Sequence, residues 1–238
     1  MAAITGAWED TPLFEIDSSK GLQVDSLLDG TAYLTILNGA GFRQIATAIL
    51  DEEEHLIPQE ILFLNEDIEQ YSPVVWTEEE TTHLVFTQRV ADQSVLLHTT
   101  SADGMTWTTP VEITQPQFES IEANHYSNGE LWFSQEDSNG WNLYAMDVAT
   151  WTRASEPVFQ RGDIGMWDDN GIKDAYLEGD LGTRKLYYSG FDGLKWQIGV
   201  AFEENGWTRY QEDTPTILSN TGFFFTSNTA RFIRIPQS

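Results

Sequence analysis

The sequence predicts an all-β chain, a five-bladed β-propeller in a single domain over residues 1–238, closed by its own N-terminal strand. Three observations carry that expectation. The first is a complete antiparallel unit between Ile172 and Trp207. Leu186-Tyr187-Tyr188-Ser189 reads as a strand, and Phe191-Asp192-Gly193 as a turn whose Asp-Gly pair accepts positive φ. Gln197-Ile198-Gly199-Val200-Ala201 is the return strand. Glu203, Asn205 and Gly206 make the next turn, Trp207 opens another short strand, and an inner strand around Asp174 precedes the whole. Four short strands in about 45 residues is the size of one blade.

The second observation is a small hydroxyl that ends the second strand of each copy. It occurs at Thr35, Thr87, Ser134, Ser189 and Thr226, each after an aromatic or aliphatic run, at intervals of 52, 47, 55 and 37 residues, and passing from Thr226 through the termini back to Thr35 spans another 47. The third is an acid four positions before a large ring: Asp51/His55, Asp103/Trp107, Asp147/Trp151 and Glu203/Trp207. Two markers in phase favour a repeat over a sandwich of similar hairpins.

In chain order, the N-terminal segment carries Trp8 followed by Pro12 without a preceding hairpin, while Gly222 to Ile235 reads as a hairpin without a closing strand. The two ends therefore share a blade, the Trp8–Phe14 segment completing the sheet begun at Phe223, which removes free sheet edges. Blade one is expected at about residues 20–63, with Asp51 to Glu54 as an acidic turn. Blades two, three and four follow at about 69–115, 118–160 and 164–219, and helix is expected to be almost absent.

Composition bounds the function. A chain that is 40% hydrophobic and 13% aromatic has ample core material despite a net charge of −26. Thirty-eight acids against 12 basic residues repel nucleic acid phosphates and anionic membranes. The same excess suits a salty setting or bound cations such as calcium. There is no cysteine, hence no disulfide or thiolate chemistry. No apolar run is long enough to span a membrane, and the first ten residues lack the features of a signal peptide.

The stretch Ser101-Ala102-Asp103-Gly104-Met105-Thr106-Trp107 has a scaffold logic: Asp103 accepts turn amides, Gly104 permits φ > 0, and Trp107 packs between neighbouring sheets. Its alternative is a calcium or sugar site on the outer rim. Together with the LYYSGFDG hairpin at 186–193, this turn resembles those of the five-bladed furanosidase-like glycoside hydrolases, the arabinanases, β-xylosidases and invertases. That resemblance implies an axial pocket lined by carboxylates from different inner strands. The matching segments are Asp25-Ser26-Leu27-Leu28, Ser72-Pro73-Val74-Val75, Glu122-Ala123-Asn124-His125 and Asp174-Ala175-Tyr176-Leu177. It implies Asp25 as base, Glu122 as acid and Asp174 as the residue that tunes or orients the acid, since glycoside hydrolysis needs one protonated and one ionised carboxyl. Against the family pattern, the chain has no Asp-Pro dipeptide, and its second inner strand offers Ser72 in place of an acid.

Tyr71, Trp167, Asp168 and His125 are the expected substrate-binding residues. Trp167 with Asp168 reads either as a sugar-stacking lip or as a buried ring beside a solvated turn, and His125 as a packed histidine or a ligand to an axial cation. Two function classes follow: a glycosidase, and a propeller that binds glycans or proteins without cleaving them. Carbohydrate is the ligand both favour. A monomer in an extracellular or periplasmic setting, its leader removed, is the expected form.

Overall fold

Alternating apolar residues in runs of seven to ten, broken by glycine- and asparagine-bearing turns, build four antiparallel units of four strands. The computed structural model describes residues 23–38, 40–50, 56–63, 67–114, 120–138, 140–211, 214–215, 224–226 and 229–231. The first unit comprises β1 (Gln23–Leu28), β2 (Thr31–Leu37), β3 (Arg43–Leu50) and β4 (Leu56–Leu62). The second comprises β5 (Glu69–Glu78), β6 (Thr81–Val90), β7 (Gln93–Ser101) and β8 (Val111–Glu112). The third is β9 (Ile121–Ser127), β10 (Glu130–Asp137), β11 (Gly140–Asp147) and β12 (Thr152–Arg153); the fourth is β13 (Gly171–Glu178), β14 (Lys185–Phe191), β15 (Trp196–Glu203) and β16 (Trp207–Arg209). Each unit pairs its strands in sequence order, and a single parallel bridge, Trp141 to Gly171, links the third and fourth. A short hairpin, β17 (Phe224–Thr226) with β18 (Thr229–Arg231), lies against β13, β14 and β15. No α-helix occurs among the described residues. The Trp8–Phe14 closing strand and the Asp51/His55 marker lie outside them.

Strand period sorts each unit's apolar residues onto two faces, and the faces of successive units make three cores. Tyr33, Ile45 and Leu62 meet Val75, Leu84, Phe86, Val95 and Leu97 between units one and two. Val74, Trp76, Val85 and Leu96 meet Ile121, Leu131, Phe133 and Tyr144 between units two and three. Trp132, Leu143 and Phe159 meet Trp167, Ile172, Leu186 and Tyr188 between units three and four. Neighbours in sequence such as Val74 and Val75, or Leu96 and Leu97, thus serve opposite cores.

The two sequence markers have separate physical roles. The acid-then-ring turn pins the outer strand: Asp103 accepts the amides of Met105 and Thr106 and the hydroxyls of Ser101 and Thr106, which holds its carboxyl well below the usual range. Trp107 then reaches back to Tyr33 and Phe63 edge-on, and Trp151 and Trp207 pack against the next two cores in the same way. The small hydroxyl joins units. Thr35 Oγ1 accepts the Ser72 amide at 3.0 Å, Thr87 Oγ1 that of Ala123 at 3.2 Å, and Ser134 Oγ that of Asp174 at 3.3 Å. Each hydroxyl is buried and satisfies an inner-strand N–H at or beside a bulge: Ser72 and Asp174 lie in one, and Ala123 precedes the bulged Asn124.

Candidate functional site

Register decides which side chains meet at the N-terminal ends of the inner strands. The residues paired with the buried hydroxyls are Gln23, Tyr71, Glu122 and Lys173 in β1, β5, β9 and β13. On the third strand of each unit, two residues before the hydroxyl's other partner, stand Arg43, Ser94, Trp141 and Trp196. Two of the second set reach across to the first in the following unit, Arg43 to Tyr71 and Trp141 to Lys173. The Arg43 guanidinium lies 3.4 Å from the Tyr71 ring centroid and donates to both oxygens of Glu69 at 3.0 Å. The Lys173 ammonium lies 3.3 Å above the Trp141 ring, 5.7 Å from that of Trp196, and 3.3 Å from Glu122 Oε1.

Glu122 is the hinge of this seam. Its side chain is 14% exposed and that of Lys173 11%. Burial, then the negative charge of Glu122, push the Tyr71 phenol up. For Arg43, burial is the largest single influence and works against the charge, but the hydrogen bond to Glu69 together with the negative charges of Tyr71, Glu69 and Glu122 outweighs it, so its pKa rises. Four units therefore contribute in turn a cation, a ring, a carboxylate and a cation on a ring.

The three carboxylates expected as a catalytic group occupy different register positions. Glu122 is the hydroxyl's pairing partner, Asp174 follows the corresponding Lys173, and Asp25 stands two beyond Gln23. Asp174 holds φ +56 in a two-residue bulge, as Ser72 does at φ +57. Asp25 instead matches Asn124: each is a single bulged residue whose side chain accepts its own unit's hydroxyl, Thr35 to Asp25 at 2.5 Å and Ser134 to Asn124 at 2.7 Å. Glu122 and Asp174 are thus gathered around Ser134, while Asp25 is tied to Thr35 two units away.

Trp167 and Asp168 correct the expectation of a solvent-facing lip. Trp167 is 7% exposed and Asp168 fully buried. Two glycines make room for them: a Cβ on Gly190 would lie 2.3 Å from Trp167, and one on Gly199 2.7 Å from it. Asp168 accepts from the Tyr188 hydroxyl at 3.0 Å and Arg209 Nε at 2.9 Å, so its charge is spent within the core of the fourth unit. His125 packs its ring 4.7 Å from that of Tyr176, and burial pushes its pKa down to about 4. Among the described residues no group of three or more His, Cys, Asp or Glu is placed to hold a metal ion, so the cation-ligand reading of His125 gains no companions there. Tyr71 alone of the four binding candidates stands in the seam.

No protein-family model matches the sequence, and no curated protein matches it. Solved structures do. A thermostable family-43 glycoside hydrolase superposes with a TM-score of 0.60 at 12% identity, over 85% of this chain and 77% of that one. The endo-arabinase of Bacteroides thetaiotaomicron gives 0.54 at 17% identity, over 79% and 77%. The β-1,2-mannobiose phosphorylase of Listeria innocua gives 0.54 at 13% identity, over 74% of this chain and 54% of that one. The fold is that of the propeller glycoside hydrolases. The four units correspond to blades of that fold, and the seam lies at the N-terminal ends of their first strands.

Arg43, Trp141, Lys173 and Trp196 went unnoticed in the sequence reading. A partial signal existed: Ser94, Trp141 and Trp196 each follow a marker hydroxyl by seven residues and Arg43 by eight, whereas Lys173 precedes Ser189 by sixteen. Seeing it requires knowing that the offset points toward the next blade.

Proposed function

We propose that this chain is a five-bladed propeller that binds carbohydrate at the seam around Glu122. The observation that carries the reading is the run of Arg43, Tyr71, Glu122 and Lys173 from four successive blades, where Arg43 covers the buried Tyr71 ring, and the partly exposed Glu122 meets a buried Lys173 seated on the half-buried Trp141. Sugars need that combination, hydrogen-bonding partners for hydroxyls beside apolar surface for ring faces.

A fifth blade formed by the chain's two ends completes the ring in this reading. Three features support it. On blade one, Ala32, Leu34, Ala46 and Ala48 face away from blade two yet are buried. On blade four, Tyr187 and Val200 face away from blade three and are buried as well. The fourth marker hydroxyl, Ser189, is fully buried at the place where the other three accept the next blade's amide. The hairpin β17–β18 lies against β13, β14 and β15 of blade four.

A second reading, hydrolysis, is favoured by Glu122 and Asp174 around Ser134. The ammonium 3.3 Å from Glu122 favours its ionised form, which suits a base or nucleophile better than an acid. Asp25 and Asp174 are then the candidates for the protonated partner. A monomer acting on glycans outside the cytoplasm is the setting we propose, and no helix among the described residues is long and apolar enough to cross a membrane.

The test is a binding and turnover screen on arabinan, xylan, fructan, mannan and aryl glycosides, with and without calcium, for the parent and Glu122→Gln. Binding without turnover establishes the binding module. Turnover abolished by Glu122→Gln establishes the hydrolase. Absence of binding to every glycan sinks both.

A further inference from the structure

Blades three and four differ from blades one and two at one repeated position. Where blade one has Arg43 and blade two Ser94, blades three and four have Trp141 and Trp196, each near the start of its third strand, ahead of the buried interior, and each only half-buried. Lys173 stands between the two indoles and is paired with Glu122. Trp196 is backed by Phe191, stacked at 5.0 Å and 24°. The result is an ion pair seated on an aromatic floor, on one side of the seam only.

We infer that Trp141, Trp196 and the Glu122–Lys173 pair form a subsite for one uncharged sugar ring that presents a vicinal diol. This rests on the carbohydrate reading above and adds which ring chemistry the site takes. The ammonium and carboxylate, 3.3 Å apart, offer a donor and an acceptor at a separation adjacent ring hydroxyls can bridge. Beside them Trp196, rigidly backed by Phe191, takes the apolar C–H face of the ring. Trp141 holds the ammonium in place through its ring face and so positions the polar pair. The pair is neutral as a unit, so it offers no surplus charge to an acidic sugar. The molecule's net charge of −26 repels one from a distance. Uronate-rich glycans are therefore excluded, and neutral pentose or hexose glycans are selected.

Calorimetric titration of the full chain with xylohexaose, arabinohexaose, mannobiose and trigalacturonate tests this, using the parent, Trp196→Ala, Trp196→Phe and Lys173→Met. The expected result is binding of at least one neutral probe, weakened about tenfold in Trp196→Ala and in Lys173→Met. Trp196→Phe keeps a stacking ring, so it binds within a few-fold of the parent. The sugar-induced change in indole fluorescence shrinks in that variant, which a merely structural role would not produce. If Trp196→Ala fails to fold by circular dichroism, Trp196→Phe and Lys173→Met carry the test. A neutral sugar bound equally by the parent, folded Lys173→Met and folded Trp196→Ala overturns the subsite while leaving the carbohydrate reading intact. Tighter binding of trigalacturonate than of every neutral probe overturns the uncharged class. Failure of all four probes on the parent rejects the carbohydrate reading and the subsite together.

Discussion

Arg184 is the residue on which the joint between blades three and four most depends, and its removal has a calculable cost. Its side chain is 4% exposed and is held from two blades. Nε and Nη2 donate to Glu203 at 2.8 Å each, and Nη1 donates to Glu130 at 2.7 Å. Its guanidinium also lies 5.7 and 5.5 Å from the rings of Trp132 and Trp207. Arg184→Met keeps an apolar chain between the indoles but strands two carboxylates. Removing one partner of a buried pair costs about 3–5 kcal/mol, and Glu130, 37% exposed, recovers water, so we expect about 2–3 kcal/mol. The pH dependence gives a second signature. The hydrogen bond from Arg184 is the main cause that lowers the Glu203 pKa in the folded protein. A lowered carboxylate contributes stability above its ordinary range, and that stability is lost as pH falls through the folded value. Arg184→Met therefore loses this acid-side slope as well as stability. Urea unfolding followed by tryptophan fluorescence at pH 7 and at about pH 4 measures both. Arg184→Met/Glu203→Gln should recover about 1 kcal/mol by removing one stranded charge. A variant within about 0.5 kcal/mol of the parent would refute the claim that this triad joins the blades.

Three further outcomes are expected. Ser134→Ala strands the Asp174 amide and the Asn124 carboxamide oxygen at once, and it should cost about 2–3 kcal/mol in urea unfolding, against about 1–2 for Thr87→Val, which strands only the Ala123 amide. Gly199→Ala places a methyl 2.4 Å from Tyr188 Cζ and should lower stability by about 2 kcal/mol or more, shifting the thermal midpoint with no surface change. His98, pushed down to about 4 by burial and by His83, whose Nδ1 lies 3.1 Å from His98 Nε2, is neutral in the folded state where the unfolded chain is protonated. Stability from it is full above the ordinary histidine value of 6.5 and declines as pH falls toward 4; His98→Phe should flatten that part of the stability profile, and an unchanged profile would show that the pair is not what acid attacks.

The repeat was legible because it has two independent physical causes that both leave a mark in one dimension. A hydroxyl must stand where a bulge in the next blade's inner strand turns an amide toward it, so Thr35, Thr87 and Ser134 recur in phase. An acid must close the turn that aims a ring at the preceding core, so Asp103/Trp107 and Asp147/Trp151 recur as well. What sequence left ambiguous was orientation. Trp167-Asp168-Asp169 has the composition of an exposed loop, yet Gly190 and Gly199, more than twenty residues further on, vacate the space that buries Trp167. No local pattern around Trp167 carries that information.

The same argument explains why the carboxylates looked more alike in sequence than they are in space. Aligning on an acid near each inner-strand start makes Asp25, Glu122 and Asp174 equivalent. Aligning on the hydroxyl and the amide it accepts does not, because blades one and three carry a one-residue bulge and blades two and four a two-residue bulge. Each bulge shifts which residue faces the neighbouring blade. On the structural alignment the equivalent residues are Tyr71, Glu122 and Lys173, a ring, an acid and a base. A site built from unlike groups at like positions suits the recognition of a sugar with distinct faces. For the same chain to hydrolyse one, Asp25 and Asp174 must be brought to the reacting atoms from their own register positions. Comparing Asp25→Asn and Asp174→Asn with Glu122→Gln separates the two roles. Loss of binding confined to Glu122→Gln marks a recognition site, and loss of turnover in all three with binding retained marks a catalytic one.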